Sequence, residues 1–181
     1  MASRITYVGE LGWELHLPVE NAQTVYDTLW RAGADHGLQN AGYRAIETLR
    51  LEKGYRAWGS DIGPDHTPQE AGLDWALKLK TDTPFKGRAR AEMQRRSGVR
   101  KILATFATDP DLMLFGRETI LRDGKPCGWL SSGGFGHSVN RSIGMGYVRA
   151  DHEIDQDYVL SGQYHLEVAT QRVAAEITLR P

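Results

Sequence analysis

Beyond Gly98 the chain is written almost entirely in short alternating segments. "KILATFAT", "ETILRDGKPCGWLSS", "SIGMGYV", "YVLSG", "YHLEVA" and "RVAAEITL" follow one another closely, punctuated by glycine and Asp-Gly. Alternation of apolar and polar residues over a short run is the mark of a half-buried strand. Asp123-Gly124, between "TILR" and "KPCGWL", is a tight-hairpin signal, because a type I′ turn needs positive φ at both central positions. Many short strands with turn signals between them form a small antiparallel barrel or sandwich.

The residues before this point follow a different rhythm. In "VENAQTVYDTLWRAGA", Ala22, Val25, Tyr26, Leu29 and Trp30 recur at helical spacing, and "DHG" closes the helix with Gly37 free to take positive φ. A second helix is expected over Ala41 to Gly54, with Arg44 near its start and Gly54 after its end. "TPQEAG" from Thr67 is a capping box with Pro68 at the first helical position. "LDWALKL" alternates Leu73, Trp75, Leu77 and Leu79 and reads as a strand. "PFKGRARAEMQRRSG" reads as a helix with a basic end, favourable at a helix C-terminus. At the N-terminus, "TYVGELGWELHLP" reads as a hairpin. Ile5 and Tyr7 lie in its first strand, Gly9 to Gly12 in its turn, and Trp13, Leu15 and Leu17 on one face of its second strand. The expected organisation is therefore α+β, with residues 1–97 as one domain and a β-barrel over residues 98–181.

Bulk properties remove several functional classes. Net charge is −1 and no basic stripe is visible, which argues against nucleic acid and anionic membrane as partners. Apolar runs fall far short of a bilayer span, and the N-terminus lacks the apolar core of a signal peptide. A single cysteine, Cys127, excludes an internal disulfide and a cysteine metal cluster, so a reducing, cytoplasmic setting is expected. The six histidines lack the short ligand spacings of a zinc helix, and no metal site is expected. "SSGGFGHS" has no Lys-Ser/Thr after it and no helix behind it, so it reads as a barrel loop rather than a phosphate loop.

One constellation is left over. Tyr7, Glu14, Arg44 and Trp75 fall on separate elements, each at or near an element start. A carboxylate holds a planar donor edge through two parallel hydrogen bonds, an arginine holds an anion or acceptor edge, and aromatic rings offer a face to a flat heterocycle. These are the parts for a bicyclic ligand with an amidine-like edge. On the residues alone the competing reading is favoured: Glu14 and Arg44 pair with each other or with solvent, and the aromatics pack as core.

The motifs carry a resemblance. "Y-x-G-E-x-G-x-E", then "R-x-x-x-x-L-R-L-E-x-G", then "D-I-x-x-x-x-T-P-x-E-A-G-L" run from Tyr7 to Leu73, and the chain resembles the folate-binding aminomethyltransferase family of the glycine cleavage T-protein. "GRETILRDGKPCGWLSSGGFGHSVNRSIGMGYV" is similar to that family's C-terminal barrel. "GELGWELH" and "EKGYRAWG" are most similar to the C-terminal region of dimethylglycine and sarcosine dehydrogenases. The resemblance implies tetrahydrofolate as ligand, no flavin on this chain, and a partial folate-binding domain ahead of the barrel. It implies that Tyr7 lines the folate pocket, that Glu14 receives the 2-amino and N3–H edge of a pterin, and that Arg44 meets the folate, with Trp75 a looser match. The family's assisting Asp lies in a segment before the hairpin, where this chain begins, and Asp61 and Asp65 do not match it. The expectation is a one-carbon module that is weak or inactive as a lone chain, with a homodimer or a partner chain supplying the missing half-domain. A non-catalytic interaction module that kept the fold is the alternative.

Overall fold

The computed structural model describes residues 1–180. A minimal hairpin opens the chain, with β1 (Ala2–Ser3) antiparallel to β2 (Glu14–Leu15). Helices α1 (Ala22–Gly33) and α2 (Tyr43–Glu52) follow, then an irregular stretch, then α3 (Arg88–Ser97). Six strands come next: β3 (Val99–Thr108), β4 (Thr119–Arg122), β5 (Lys125–Gly136), β6 (Arg141–Ile154), β7 (Tyr164–Val168) and β8 (Gln171–Thr178), with α4 (Gln156–Ser161) between β6 and β7. They close into an antiparallel barrel in the order β3-β6-β5-β4-β7-β8. Closure removes the open edges that a sheet of short strands would otherwise present.

The barrel's strands are apolar on two faces where the sequence alternates least. Inward residues Ile102, Phe106, Ile120, Leu130, Val148 and Leu166 form the barrel core. Outward residues Leu103 of β3 and Ile143, Met145 and Tyr147 of β6 form a second cluster with Leu51 of α2. A helix lying on the outside of the wall is what makes the usual polar-out pattern unnecessary there. The Asp123-Gly124 turn forms as expected, with φ of 52° and 80° and Arg122 paired to Lys125.

A buried ion pair fastens α2 to the wall. Arg50 and Asp61 are both fully buried, and the Arg50 guanidinium donates to Asp61 at 2.5 Å, to the Tyr55 carbonyl at 3.0 Å and to Ser132 Oγ of β5 at 2.8 Å. Asp61 also accepts from the Ala57 amide at 2.9 Å and from the hydroxyls of Ser131 and Ser132. Tyr147 of β6 donates to the Asp61 carbonyl at 2.9 Å. Burial alone would lower the Arg50 pKa, but the hydrogen bond to Glu47 and the charge of Asp61 outweigh it and hold the guanidinium firmly charged.

Four local expectations are corrected. Ile5 and Tyr7 lie outside any strand, because the pairing runs Ala2 to Leu15 and Ser3 to Glu14 and leaves the intervening residues as a wide connection. Leu73 to Leu79 is not a strand: Asp74–Ala76 is a short 3-10 turn. Thr67 and Glu70 do make their reciprocal capping bonds, but Gly72 at φ 66° ends the turn at once through a bond from the Leu73 amide to the Pro68 carbonyl. "YVLSG" belongs to α4, where Asp155 Oδ1 accepts from the Tyr158 amide at 2.8 Å as an N-cap. Ser131 to Gly136 lie inside β5, leaving only the following residues as the loop to β6.

Asp61→Ala strands the buried Arg50 charge and is expected to lower stability by about 3–5 kcal/mol. The check is a urea titration, which should show a lower midpoint at unchanged slope. A midpoint within experimental error of the parent would mean that the pair does not hold the two parts together.

Candidate functional site

Along α2, positions 44, 47, 48 and 51 share one face. Leu51 enters the barrel wall, and the same face carries Arg44, Glu47 and Thr48 past the wall into a cavity of about 420 Å³. The opposite wall is the segment after β3, including Asp111, Met113 and Phe115, and the floor is Gly133 to Phe135 of β5. The lining is largely hydrocarbon, with Met113 and Phe115 strongly exposed at the rim. At position 133 the floor has to be glycine. A Cβ on Gly133 would lie 2.7 Å from the Leu114 carbonyl carbon and 2.7 Å from the Gly116 nitrogen, so only glycine lets the 110–116 segment lie against β5.

Polar chemistry gathers at the α2 end. Glu47 accepts from Arg50 Nε at 2.9 Å and contacts Arg50 Nη2 as well, so one carboxylate sits between the buried network and the cavity. Arg44 has no ion-pair partner among the described residues and is exposed at the cavity wall. Tyr7 stacks on Tyr55 with ring centroids 6.1 Å apart. Its partial burial raises the phenol pKa, against the pull of the nearby Arg50 charge. The Gly9 backbone lies against the stem of Lys53, and Lys53 Nζ stands 3.8 Å from Glu10, so the hairpin connection rests on the end of α2.

The four residues singled out from the sequence are placed separately. Tyr7 faces Tyr55, Arg44 lines the cavity, Glu14 pairs with His16 at 3.6 Å on the exposed hairpin, and Trp75 is 79% exposed on its 3-10 turn. No hydrogen bond, ion pair or ring stack joins any two of them among the described residues. Glu47, Met113 and Phe115 were missed. Glu47 could have been found from its spacing to Arg44 and Arg50, whereas nothing in "DLMLFG" announces a cavity wall. No group of three or more His, Cys, Asp and Glu side chains that could hold a metal forms among the described residues.

The geometry is that of a two-part molecule: an open helical half laid on a closed barrel, with a cavity where the two meet. Residues 1–81 match the GCVT N-terminal domain, and residues 101–181 match the glycine cleavage T-protein C-terminal barrel domain. The chain belongs to the glycine cleavage T-protein family. The structure of the glycine cleavage system aminomethyltransferase T from Bartonella henselae is similar at a TM-score of 0.83 and 26% identity, over 98% of this chain and 48% of that one. The mitochondrial sarcosine dehydrogenase of Mus musculus is 44% identical over 99% of this chain and 20% of its own length. The mitochondrial pyruvate dehydrogenase phosphatase regulatory subunit of Mus musculus is 34% identical over 98% of this chain and 22% of its own. The chain thus spans about a fifth of the length of these two curated relatives.

Adjacent floor positions separate packing from chance. Gly133→Ala is expected to cost about 1–3 kcal/mol through overpacking against the 110–116 segment. Gly134→Ala, whose Cβ would meet Leu51 Cδ2 at an ordinary 3.5 Å, should cost clearly less. Thermal unfolding of both variants decides it, and equal losses would show that the segment yields freely.

Proposed function

We propose that the chain is a tetrahydrofolate-binding, aminomethyltransferase-like module of one-carbon metabolism. The observation that carries this reading is the paired match to both T-protein domains, with a cavity at their meeting point that offers an arginine, a carboxylate and aromatic rims. The proposed folate contacts are Tyr7, Glu14, Arg44 and Trp75, with residues 1–97 as the ligand-bearing domain and 98–181 as the barrel domain. Because the four lie apart in the described chain, binding would require the hairpin with Glu14 and the Trp75 turn to close toward the α2 cavity. The chain alone is proposed to bind without efficient transfer: Glu47 and Asp61, the acids of its buried network, are both tied to Arg50. The compartment read from the sequence is the cytoplasm; the two mouse relatives are mitochondrial by name, and one free thiol fits either.

Titration with tetrahydrofolate, followed by quenching of the five tryptophans, should saturate in the micromolar range. Glu14→Gln should weaken binding by about 1–3 kcal/mol, since an acceptor becomes a donor facing a donor. Unchanged affinity in a folded variant ends the pterin assignment of Glu14. Turnover by the 181-residue chain alone would overturn the inactive reading and direct attention to Asp111 at the cavity wall.

A second reading has its own observations. One relative is by name a regulatory subunit, and no residue before Arg50 is buried. Trp13, Leu11, Val19 and Leu29 all stand exposed on this half. Apolar surface on this scale marks an interaction face. We propose that a homodimer, or a partner chain, covers this face. Light scattering at tens of micromolar should report a dimer, and Trp13→Glu should break it. A monomeric parent, or a dimer indifferent to that charge, counts against the arrangement.

A further inference from the structure

A second, larger cavity of about 970 Å³ opens on the outer wall of the barrel and shares no lining residue with the α2 cavity. It is walled by cations from neighbouring strands: Arg100 and Lys101 of β3, Arg149 of β6, and Arg117 just before β4, with Trp129 of β5 between them. The strand pairing fixes this arrangement, since Lys101 lies opposite Arg149 and Trp129 opposite Thr119.

The four cations are not equally free. Lys101 donates to the Asp65 carbonyl at 3.0 Å and stands 3.7 Å from Glu70, and Arg100 stands 3.8 Å from Glu153. No carboxylate among the described residues reaches ion-pair range of Arg117 or Arg149. The Arg149 guanidinium lies 4.2 Å from the Trp129 ring centroid, which orients the plane of its fork without using its hydrogen-bond donors. Arg117 sits at φ 77°, a left-handed conformation unfavourable for a residue with a Cβ, and its amide is held to the Leu130 carbonyl at 2.6 Å. Glycine would be the relaxed choice for that backbone, as the preceding Gly116 shows at φ 92°. A strained, unpaired arginine lining the same cavity as a stacked, unpaired arginine is an arrangement that stability alone does not explain.

We propose that this wall cavity is an oxyanion-binding site, in which Arg117 and Arg149 grip a polyvalent small-molecule anion, a phosphate or a polycarboxylate. Two guanidinium forks offer parallel N–H pairs to two oxygen edges, which suits a ligand carrying more than one anionic group. Lys101 and Arg100 add field at the margin, so the four cations of the lining outnumber its two carboxylates, Glu70 and Asp151. The assignment does not depend on folate binding in the α2 cavity.

The test is calorimetric titration of the full chain at low ionic strength with pyrophosphate and, separately, with citrate. At least one should bind saturably at a single site in the sub-millimolar range. Arg149→Gln should weaken it by about tenfold or more, the loss of a charge-assisted pair. Arg117→Gly should weaken it similarly while leaving the melting temperature equal or higher, because glycine relieves the backbone; a structural role for Arg117 predicts the opposite. Arg96→Gln, an exposed arginine of α3 outside the cavity, should leave binding unchanged. Tighter pyrophosphate assigns the site to phosphates, and tighter citrate to polycarboxylates. No saturable heat with either anion, or equal loss in the Arg96 variant, overturns the proposal.

Discussion

The structure depends on one buried charge pair that would be costly anywhere else. Taking Arg50 and Asp61 out of water carries a desolvation penalty of several kcal/mol per ion, and their attraction offsets it only when the remaining donors and acceptors are satisfied. Here they are. Glu47 and the Tyr55 carbonyl take the outer edges of the guanidinium, while the Ala57 amide, Ser131 and Ser132 fill the carboxylate. The partners come from α2, from the turn around Asp61 and from β5, so the network can be complete only when the helical half is docked on the barrel in one register. Apolar contact at Leu51 supplies adhesion, and the charge network supplies the position.

Position is what the α2 cavity requires. The helix face that brings Leu51 to the wall brings Arg44 and Glu47 to the rim, and Glu47 is shared between the network and the open space. A carboxylate held by a buried guanidinium cannot swing away to solvent as an isolated surface acid does. The same barrel serves a different end on its outer face, where Arg117 and Arg149 stand without counter-ions. The contrast between satisfied and unsatisfied arginines on one barrel separates framework from surface chemistry more sharply than exposure alone.

Much of this was legible in the sequence wherever one period governed a segment. The barrel followed from alternation and from Asp123-Gly124, and α1 and α2 from helical spacing with Gly37 and Gly54 after them. The failures came where a turn overrode a period. Leu73 to Leu79 alternates, yet Gly72 and the capping bonds of Thr67 and Glu70 commit the preceding residues to a single helical turn. "YVLSG" is too short to show a period, and the Asp155 cap decided it. The docking of α2 on the barrel was invisible for another reason: Arg50 sits beside Leu49 and Leu51 in "LRLE", and no local pattern reveals that its partner is a turn aspartate eleven residues on.

The N-terminal half shows what helical periodicity can and cannot say. Its apolar stripe of Tyr26, Leu29 and Trp30 was read correctly, and Tyr26 and Trp30 stack with centroids 5.9 Å apart, yet α1 has no buried residue. An amphipathic face is a statement that something should cover it, not a statement of what does. Beside it the barrel has closed its edges and buried its interior. The molecule is thus finished on one side and open on the other, and its open side carries Glu14 and the hairpin while its finished side fixes Arg44. Any ligand that used all of these residues would have to bind across that divide, which makes the covering of the α1 face and the filling of the α2 cavity two aspects of one structural problem.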